Sequence, residues 1–421
     1  MKTRILFVNY SDSRGGAAKA CYRLFSYARE NGLDVKMLVR EKLTDDADIY
    51  HINDFSENGL SGFVEKIIWK INNRFRKSKW KKYPGRENVF LNDLASVNLK
   101  KAFHFFKPDI IHLHFVANRF LNLKDLVGLN SKIIWTLHDS WAFTGICHFF
   151  YNCKSYENSC GKCFMLHSDN AEDLSHEIWK KKAEIYKKLK LNIVTPSRWL
   201  GQCASNSSLL KTFPVDVIPN GISRKIFFQK DKQEARLKLN LDQNRRYLLF
   251  GAYQADTDKN KGFHFLKSAI GQLPDNKGIT LIVYGADIKA EFPEIPVPVI
   301  NYGYIADEII MADLYNATDM TIVPSLSENL SFTIMESMSC GTPVIAFDTG
   351  GNADIIDHKK NGYLATSFDE FDLMQGILWG IRNSDNTEII EFCQQQVLNH
   401  FTEEISGNQY LEMYNKILKE Q

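Results

Sequence analysis

Short runs of β-branched and apolar residues alternate with longer amphipathic stretches along most of this chain, and no other feature restricts its fold as much. That alternation builds a parallel sheet whose faces are covered by helices. Candidate strands of a first set are Ile5–Val8, Val35–Val39, Ile110–His114, Ile133–His138, Ile193–Pro196 and Val215–Pro219. A second set follows at Tyr247–Gly251, Ile279–Tyr284, Val299–Tyr302, Met320–Pro324 and Pro343–Phe347. Two successive sets within 421 residues predict an α/β protein of two doubly wound domains, each offering ligands the carboxyl ends of its strands. The turn Asn220-Gly221 and the polar stretch after it place the boundary there, giving domains over residues 1–221 and 222–404. Tyr410, Leu411, Tyr414, Ile417 and Leu418 then fall on one helical face within residues 405–421, which needs a surface to pack on.

Charge divides along the same boundary. The net +2 hides 34 basic and 22 acidic residues up to Gly221, against 18 and 28 after it. An excess of +12 on the first domain points to an anionic surface or acceptor, and the second carries −10. Residues 65–86 concentrate the excess: Lys66, Lys70, Arg74, Arg76, Lys77, Lys79, Lys81, Lys82 and Arg86 face the single acid Glu65, with Ile67, Trp69, Phe75, Trp80 and Tyr83 interleaved. Such a segment suits an anionic membrane surface, at about 1 kcal/mol per basic residue near the headgroups. The alternatives are a solvated helix packed on its own domain and phosphate-and-stacking contact with nucleic acid, which is not expected as a partner. No stretch reaches the roughly 18 apolar residues of a membrane span, and the run Ile5–Val8 is too short for a signal-peptide core. The expected location is the cytoplasm, peripherally on the inner face of the cell membrane.

Two strand-to-helix turns carry candidate chemistry. Ser13-Arg14-Gly15-Gly16 follows the first strand and opens a helix, so that free N–H groups and an unobstructed backbone can meet an anion. The turn lacks the G-x-G-x-x-G pattern of a dinucleotide fold. Near the other end, Met320–Pro324 leads through Glu328-Asn329-Leu330-Ser331 to Glu336 and then Cys340-Gly341-Thr342-Pro343. Two glutamates eight residues apart, one in the loop and one on the helix behind it, suit sugar hydroxyls, and the helix start between them suits phosphate. Gly350-Gly351 makes a second tight turn near the same edge.

These motifs, together with Thr136-Leu137-His138-Asp139, Thr195-Pro196-Ser197-Arg198, Ile218-Pro219-Asn220-Gly221-Ile222, Lys261-Gly262 and Asp313-Leu314-Tyr315, resemble glycosyltransferase family 4 nearly end to end. The resemblance implies the GT-B architecture of two Rossmann-like domains facing a cleft, with the C-terminal helix packing back toward the first domain. It implies a retaining transfer from a nucleotide sugar, a UDP- or GDP-sugar. Glu328 matches the acid on the donor sugar, Glu336 the acid on the ribose, Lys261 the lysine on the diphosphate, and Gly15 and Gly16 the loop facing the same phosphates. Asn329, Leu330 and Ser331 complete the donor set, and His138 matches the histidine where sugar and acceptor meet. Phe250-Gly251-Ala252 lacks the arginine that many relatives place there, which leaves the second positive charge to Lys259, or else to Arg245 or Arg246. The Trp135–Cys163 region looks most like members that assemble exopolysaccharide, capsule or O-antigen units on a lipid carrier, implying a lipid-linked saccharide acceptor. A nucleotide-sugar 2-epimerase and a non-catalytic zinc-stabilised scaffold are the rival readings.

Four of the eight cysteines lie at Cys147-x5-Cys153-x6-Cys160-x2-Cys163. In a reducing compartment a cluster ending in C-x2-C suits structural zinc, with His148 as a substitute ligand, while ordinary loop thiols and disulfides are the alternatives. A catalytic metal is not expected, the cleft being read as lacking the Asp-x-Asp pair that bridges a donor diphosphate.

Overall fold

The computed structural model describes residues 3–55, 80–86, 99–251, 254 and 257–420. The chain divides into two units, Met1–Ile218 with Gly407–Gln421, and Pro219–Ser406. Seven parallel strands form the first sheet: β1 (Arg4–Ser11), β2 (Asp34–Glu41), β3 (Ile49–His51), β4 (Ile110–Leu113), β5 (Lys132–Thr136), β6 (Leu191–Thr195) and β7 (Val215–Val217). Their order is β3-β2-β1-β4-β5-β6-β7. Because successive side chains of a strand point to opposite faces, β1 feeds two cores. Ile5 and Phe7 pack with Phe25 of the helix Gly16–Glu30 and with Tyr410, Tyr414 and Ile417 of the helix Glu403–Lys419. Leu6 and Val8 face the opposite cluster, with Trp135, Ile178 and Tyr186. Tyr410, Tyr414 and Ile417 are all buried, and at roughly 1.5–3 kcal/mol for each buried large apolar side chain they fasten the C-terminal helix firmly to the first unit.

The second sheet is also parallel, with β8 (Arg246–Gly251), β9 (Ile279–Tyr284), β10 (Val299–Asn301), β11 (Met320–Val323), β12 (Val344–Phe347) and β13 (Gly362–Ala365) in the order β10-β9-β8-β11-β12-β13. β3 and β13 escape the sequence pattern. Each is a short strand at a sheet edge, and β13 opens on a glycine. The structural division follows Ile218, three residues ahead of the expected boundary after Gly221, and Ile222 bridges to Thr402 and donates its N–H to the Phe401 carbonyl within the second unit.

Of the basic segment 65–86, residues 65–79 lie outside the described residues. Trp80 and Tyr83 pack against the first unit's core, and the Tyr83 hydroxyl accepts the Leu174 N–H at 3.0 Å. These two aromatics therefore face their own domain rather than lipid. A further basic group, the exposed Lys124, Lys180 and Lys188, lines a cavity of about 940 Å³ together with the carboxylates Glu177 and Glu184 and with apolar Leu121, Leu123, Trp141 and Ile178. Among the described residues no helix is long and apolar enough to cross a membrane.

Candidate active site

In the second sheet the strand order reverses between β8 and β11, and a doubly wound sheet opens its ligand crevice beyond the carboxyl ends at such a point. Three loops meet there. After β8 the chain turns through the short 3-10 helix Lys259–Lys261, after β11 it runs from Pro324 to Glu328, and after β12 it passes Thr349-Gly350-Gly351. The Leu326 N–H donates to the Asn260 carbonyl at 2.8 Å, and the Asn260 amide donates to the Ser327 carbonyl at 3.0 Å. The Thr349 hydroxyl donates to the Ser325 carbonyl at 2.9 Å and the Gly351 N–H to the Glu328 carbonyl at 3.1 Å. Two glycines make this closeness feasible: Gly262 at φ +71° and Gly350 at φ +59° are left-handed, and a Cβ would strike the Pro324 and Glu328 carbonyl oxygens respectively.

The loops bring Lys261 Nζ to 2.7 Å from Glu328 Oε1, with the side chains 24% and 17% exposed. Burial pulls the ammonium down, but the charge and hydrogen bond of Glu328 outweigh it, so Lys261 is held above its ordinary pKa and stays charged at neutral pH. Glu336 is buried on the helix Phe332–Ser339, where the Tyr315 hydroxyl donates to its Oε2 at 3.3 Å. That helix has no acid in its first turn and Ser331 forms no side-chain cap bond, so no carboxylate of the first turn offsets its positive end. Lys259 is exposed and Asn329 half-buried.

The structure corrects the expectation for Arg245 and Arg246 and locates Leu330 and two Asp-x-Asp triplets. Leu330 is buried in the unit's core, so only its backbone is available to a donor. Arg245 and Arg246 stand at the opposite end of β8, where Arg246 pairs with Asp319 and Asp385 and Arg245 donates to Thr280 Oγ1. Neither can supply charge at the carboxyl edge. Asp-x-Asp triplets do occur, at Asp46-Ala47-Asp48 and Asp256-Thr257-Asp258. In the first, both carboxylates pair with Arg29, and Asp258 caps the turn by accepting the Asn260 N–H at 2.9 Å, while Asp256 lies outside the described residues.

The first sheet reverses between β1 and β4. There Asn9 staples the two strand ends, accepting the Phe115 N–H at 2.9 Å while its amide donates to the Ser11 carbonyl at 2.6 Å. Gly15 holds φ +90° ahead of the helix Gly16–Glu30, with no atom within 4 Å of its missing Cβ and no acid in the helix's first turn. The backbone is thus open to an anion. His138 follows β5 and meets His114 nitrogen to nitrogen, its Nε2 lying 3.0 Å from His114 Nδ1 with the ring centroids 5.2 Å apart. His112, on β4 two residues before His114, holds Tyr414 Oη through Nδ1 and Thr136 Oγ1 through Nε2, both at 2.8 Å. Burial lowers His138 to about 4, and burial with the nearby His138 lowers His112 to about 3, so both are neutral at physiological pH.

The loop after His138 is pinned by Lys182, whose buried ammonium donates to the carbonyls of Trp141 at 2.5 Å, Thr144 at 3.0 Å and Gly145 at 3.1 Å. It carries the cysteines, all free thiols. A hydrogen bond from Cys147 lowers Cys163 to about 7, and the Gly145 N–H donates to Cys160 Sγ at 3.2 Å. Among the described residues no group of three or more His, Cys, Asp or Glu is disposed to hold a metal ion, so zinc keeps only the sequence spacing and this shared thiol proton in its favour. Sequence reasoning missed Asn260 and His114, and named Tyr315 only within the Asp313-Leu314-Tyr315 motif. His114 had a local signal, since it falls two residues after His112 at the carboxyl end of an apolar run.

Two parallel sheets, each flanked by helices, give the fold of the GT-B glycosyltransferases. The family model Glycosyltransferase Family 4 matches residues 14–225 and the model Glycosyl transferases group 1 matches residues 245–383; the chain belongs to glycosyltransferase family 4. It is 24% identical to a putative colanic acid biosynthesis glycosyl transferase of Escherichia coli, over 73% of this chain and 75% of that protein. Among solved structures it is similar to a glycosyltransferase from Rickettsia africae, with TM-score 0.69 and 17% identity over 100% of both chains. It is also similar to Anabaena HepE solved in complex with UDP-glucose, with TM-score 0.62 and 16% identity over 98% of this chain and 100% of that one.

Proposed function

We propose that this glycosyltransferase moves a hexosyl unit, with retention, from a UDP- or GDP-sugar to a lipid-linked saccharide during assembly of a cell-surface polysaccharide. The observation that carries the donor half is the Lys261–Glu328 pair at the carboxyl edge of the second sheet, beside the exposed Lys259 and the open start of the helix Phe332–Ser339. Lys261 neutralises the diphosphate, Glu328 takes sugar hydroxyls and Glu336 the ribose. The UDP-glucose held by HepE supports a uridine donor, and the colanic acid relative supports a polysaccharide product. On the acceptor side, the lysine-rimmed cavity with its apolar lining suits a phosphate-bearing lipid, which agrees with a peripheral membrane location.

In this mechanism the bond between the anomeric carbon and the diphosphate oxygen breaks while the acceptor oxygen bonds to the same face of the sugar. The acceptor's proton passes to the departing diphosphate, whose charge Lys261 and the helix N–H groups stabilise. No side chain is assigned as nucleophile. A thermal-shift screen of nucleotide sugars tests the donor: a UDP- or GDP-sugar is expected to raise the melting temperature of the wild type and not of Lys261→Met. No stabilisation by any nucleotide sugar overturns the reading, an inverted anomer by NMR overturns retention, and free epimerised sugar formed without acceptor favours a 2-epimerase.

A further inference from the structure

His138 and His114 share one hydrogen bond, and the surroundings of His114 decide which ring donates. His138 Nε2 and His114 Nδ1 are 3.0 Å apart in nearly parallel rings, 18° from coplanar. The other nitrogen of His114, Nε2, is sealed from solvent and has no hydrogen-bond partner. If His138 donated, His114 would carry its own proton on that sealed Nε2. The neighbouring Phe7 ring, its centroid 5.8 Å from that of His114 and its plane inclined by 22°, carries no acceptor atom for that nitrogen. An orphaned buried N–H is rarer than an under-used acceptor, so His114 carries its proton on Nδ1 and donates it to His138 Nε2.

We propose that His114 is a positioning residue that fixes His138 in the Nδ1–H form, so that His138 meets its sugar hydroxyl as a hydrogen-bond donor and not as a proton acceptor. The proposal rests on the reading of His138 as the histidine of the transfer site. His138 Nδ1 forms no intramolecular hydrogen bond among the described residues, and the ring is only half-buried, which leaves that edge available. Burial keeps the imidazole neutral, which agrees with a donor of fixed tautomer and with a departing diphosphate as the proton acceptor.

The test is ¹⁵N NMR of full-length protein labelled at its 11 histidines, with the His138 signals assigned by their loss in His138→Asn. In the wild type His138 Nδ1 is expected to be protonated and Nε2 bare; a proton on Nε2 overturns the proposal whatever the variants do. His114→Asn places an amide N–H where the Nδ1–H stood and is expected to keep both tautomer and turnover. His114→Phe removes the donor and is expected to mix the tautomers and lower kcat about tenfold, the worth of one hydrogen bond in the transition state, with KM little changed. Equal behaviour of the two variants overturns the proposal. Unchanged transfer by His138→Ala with the expected wild-type tautomer would remove the sugar contact while upholding the His114–His138 assignment, which separates failure of the inference from failure of the functional reading.

Discussion

Removing one partner of the Lys261–Glu328 pair should cost both stability and chemistry, in amounts a double-mutant cycle can divide. At 2.7 Å the bare Coulomb attraction is about 6 kcal/mol with an effective dielectric near 20, before desolvation is subtracted. What survives for a charged, partly buried hydrogen bond is about 1.5–3 kcal/mol. Lys261→Met and Glu328→Gln each strand the other partner, so each should lower the melting temperature of the second unit by roughly 3–12 °C, taking about 2–4 °C per kcal/mol for a unit of this size. The double variant should be more stable than the sum of the two losses predicts. Urea or thermal denaturation of the four proteins gives the coupling. If the losses add within about 0.3–0.5 kcal/mol, the contact carries no coupling and the reasoning fails. Transfer kinetics give the other half: Lys261→Met should lower kcat by about 10²–10³ through loss of charge stabilisation on the leaving diphosphate. A destabilised Lys261→Met with undiminished kcat would make Lys261 a structural residue.

Gly350→Ala puts a methyl group into the Glu328 carbonyl at a left-handed backbone position, and should destabilise by at least about 2 kcal/mol and abolish donor-induced thermal shift; an unaltered shift would count against the loop arrangement. Acidification should loosen the first unit. The folded pKa of His112, about 3, lies below its ordinary 6.5, so its contribution is complete above pH 6.5 and is lost as pH falls toward 3, by roughly 4–5 kcal/mol at the limit. Tryptophan fluorescence should report a denaturation midpoint that falls steadily from pH 7 to pH 4.5, and a constant midpoint contradicts buried neutral histidines. Reversing charge at Lys124, Lys180 and Lys188 should weaken binding to vesicles containing anionic phospholipid while leaving donor-induced thermal shift intact; equal vesicle binding removes the lysine rim from the acceptor side. For the cysteines, zinc predicts one metal per chain with Cys147, Cys153, Cys160 and Cys163 protected from thiol reagents, and metal-free protein with all four reactive removes it.

Much of the architecture was legible because it is written in local periodicity. The eleven strands read from apolar runs correspond to strands of the two parallel sheets, and the turns after β1 and β11 fall where glycine, asparagine and serine interrupt those runs. The short edge strands β3 and β13 carried too little pattern to register, each having three or four residues. The candidate site was legible where a residue type and a spacing coincide, as in Glu328-x7-Glu336. It was misread at Arg245 and Arg246, which stand at the opposite end of β8 from the carboxyl edge.

The sequence by itself determined an α/β chain of two parallel sheets, the placing of Glu328 and Gly15 in strand-to-helix loops, and an opposed charge on the two halves, since all of these follow from residue order. Tertiary structure alone decided which groups touch. His112 meets Tyr414 across 302 positions, Lys261 meets Glu328 across 67, and Tyr83 turns toward Leu174 instead of outward. Such contacts depend on the order in which strands are laid into a sheet, and a hydrogen bond that closes a loop of tens or hundreds of residues leaves no periodicity in the chain to announce it.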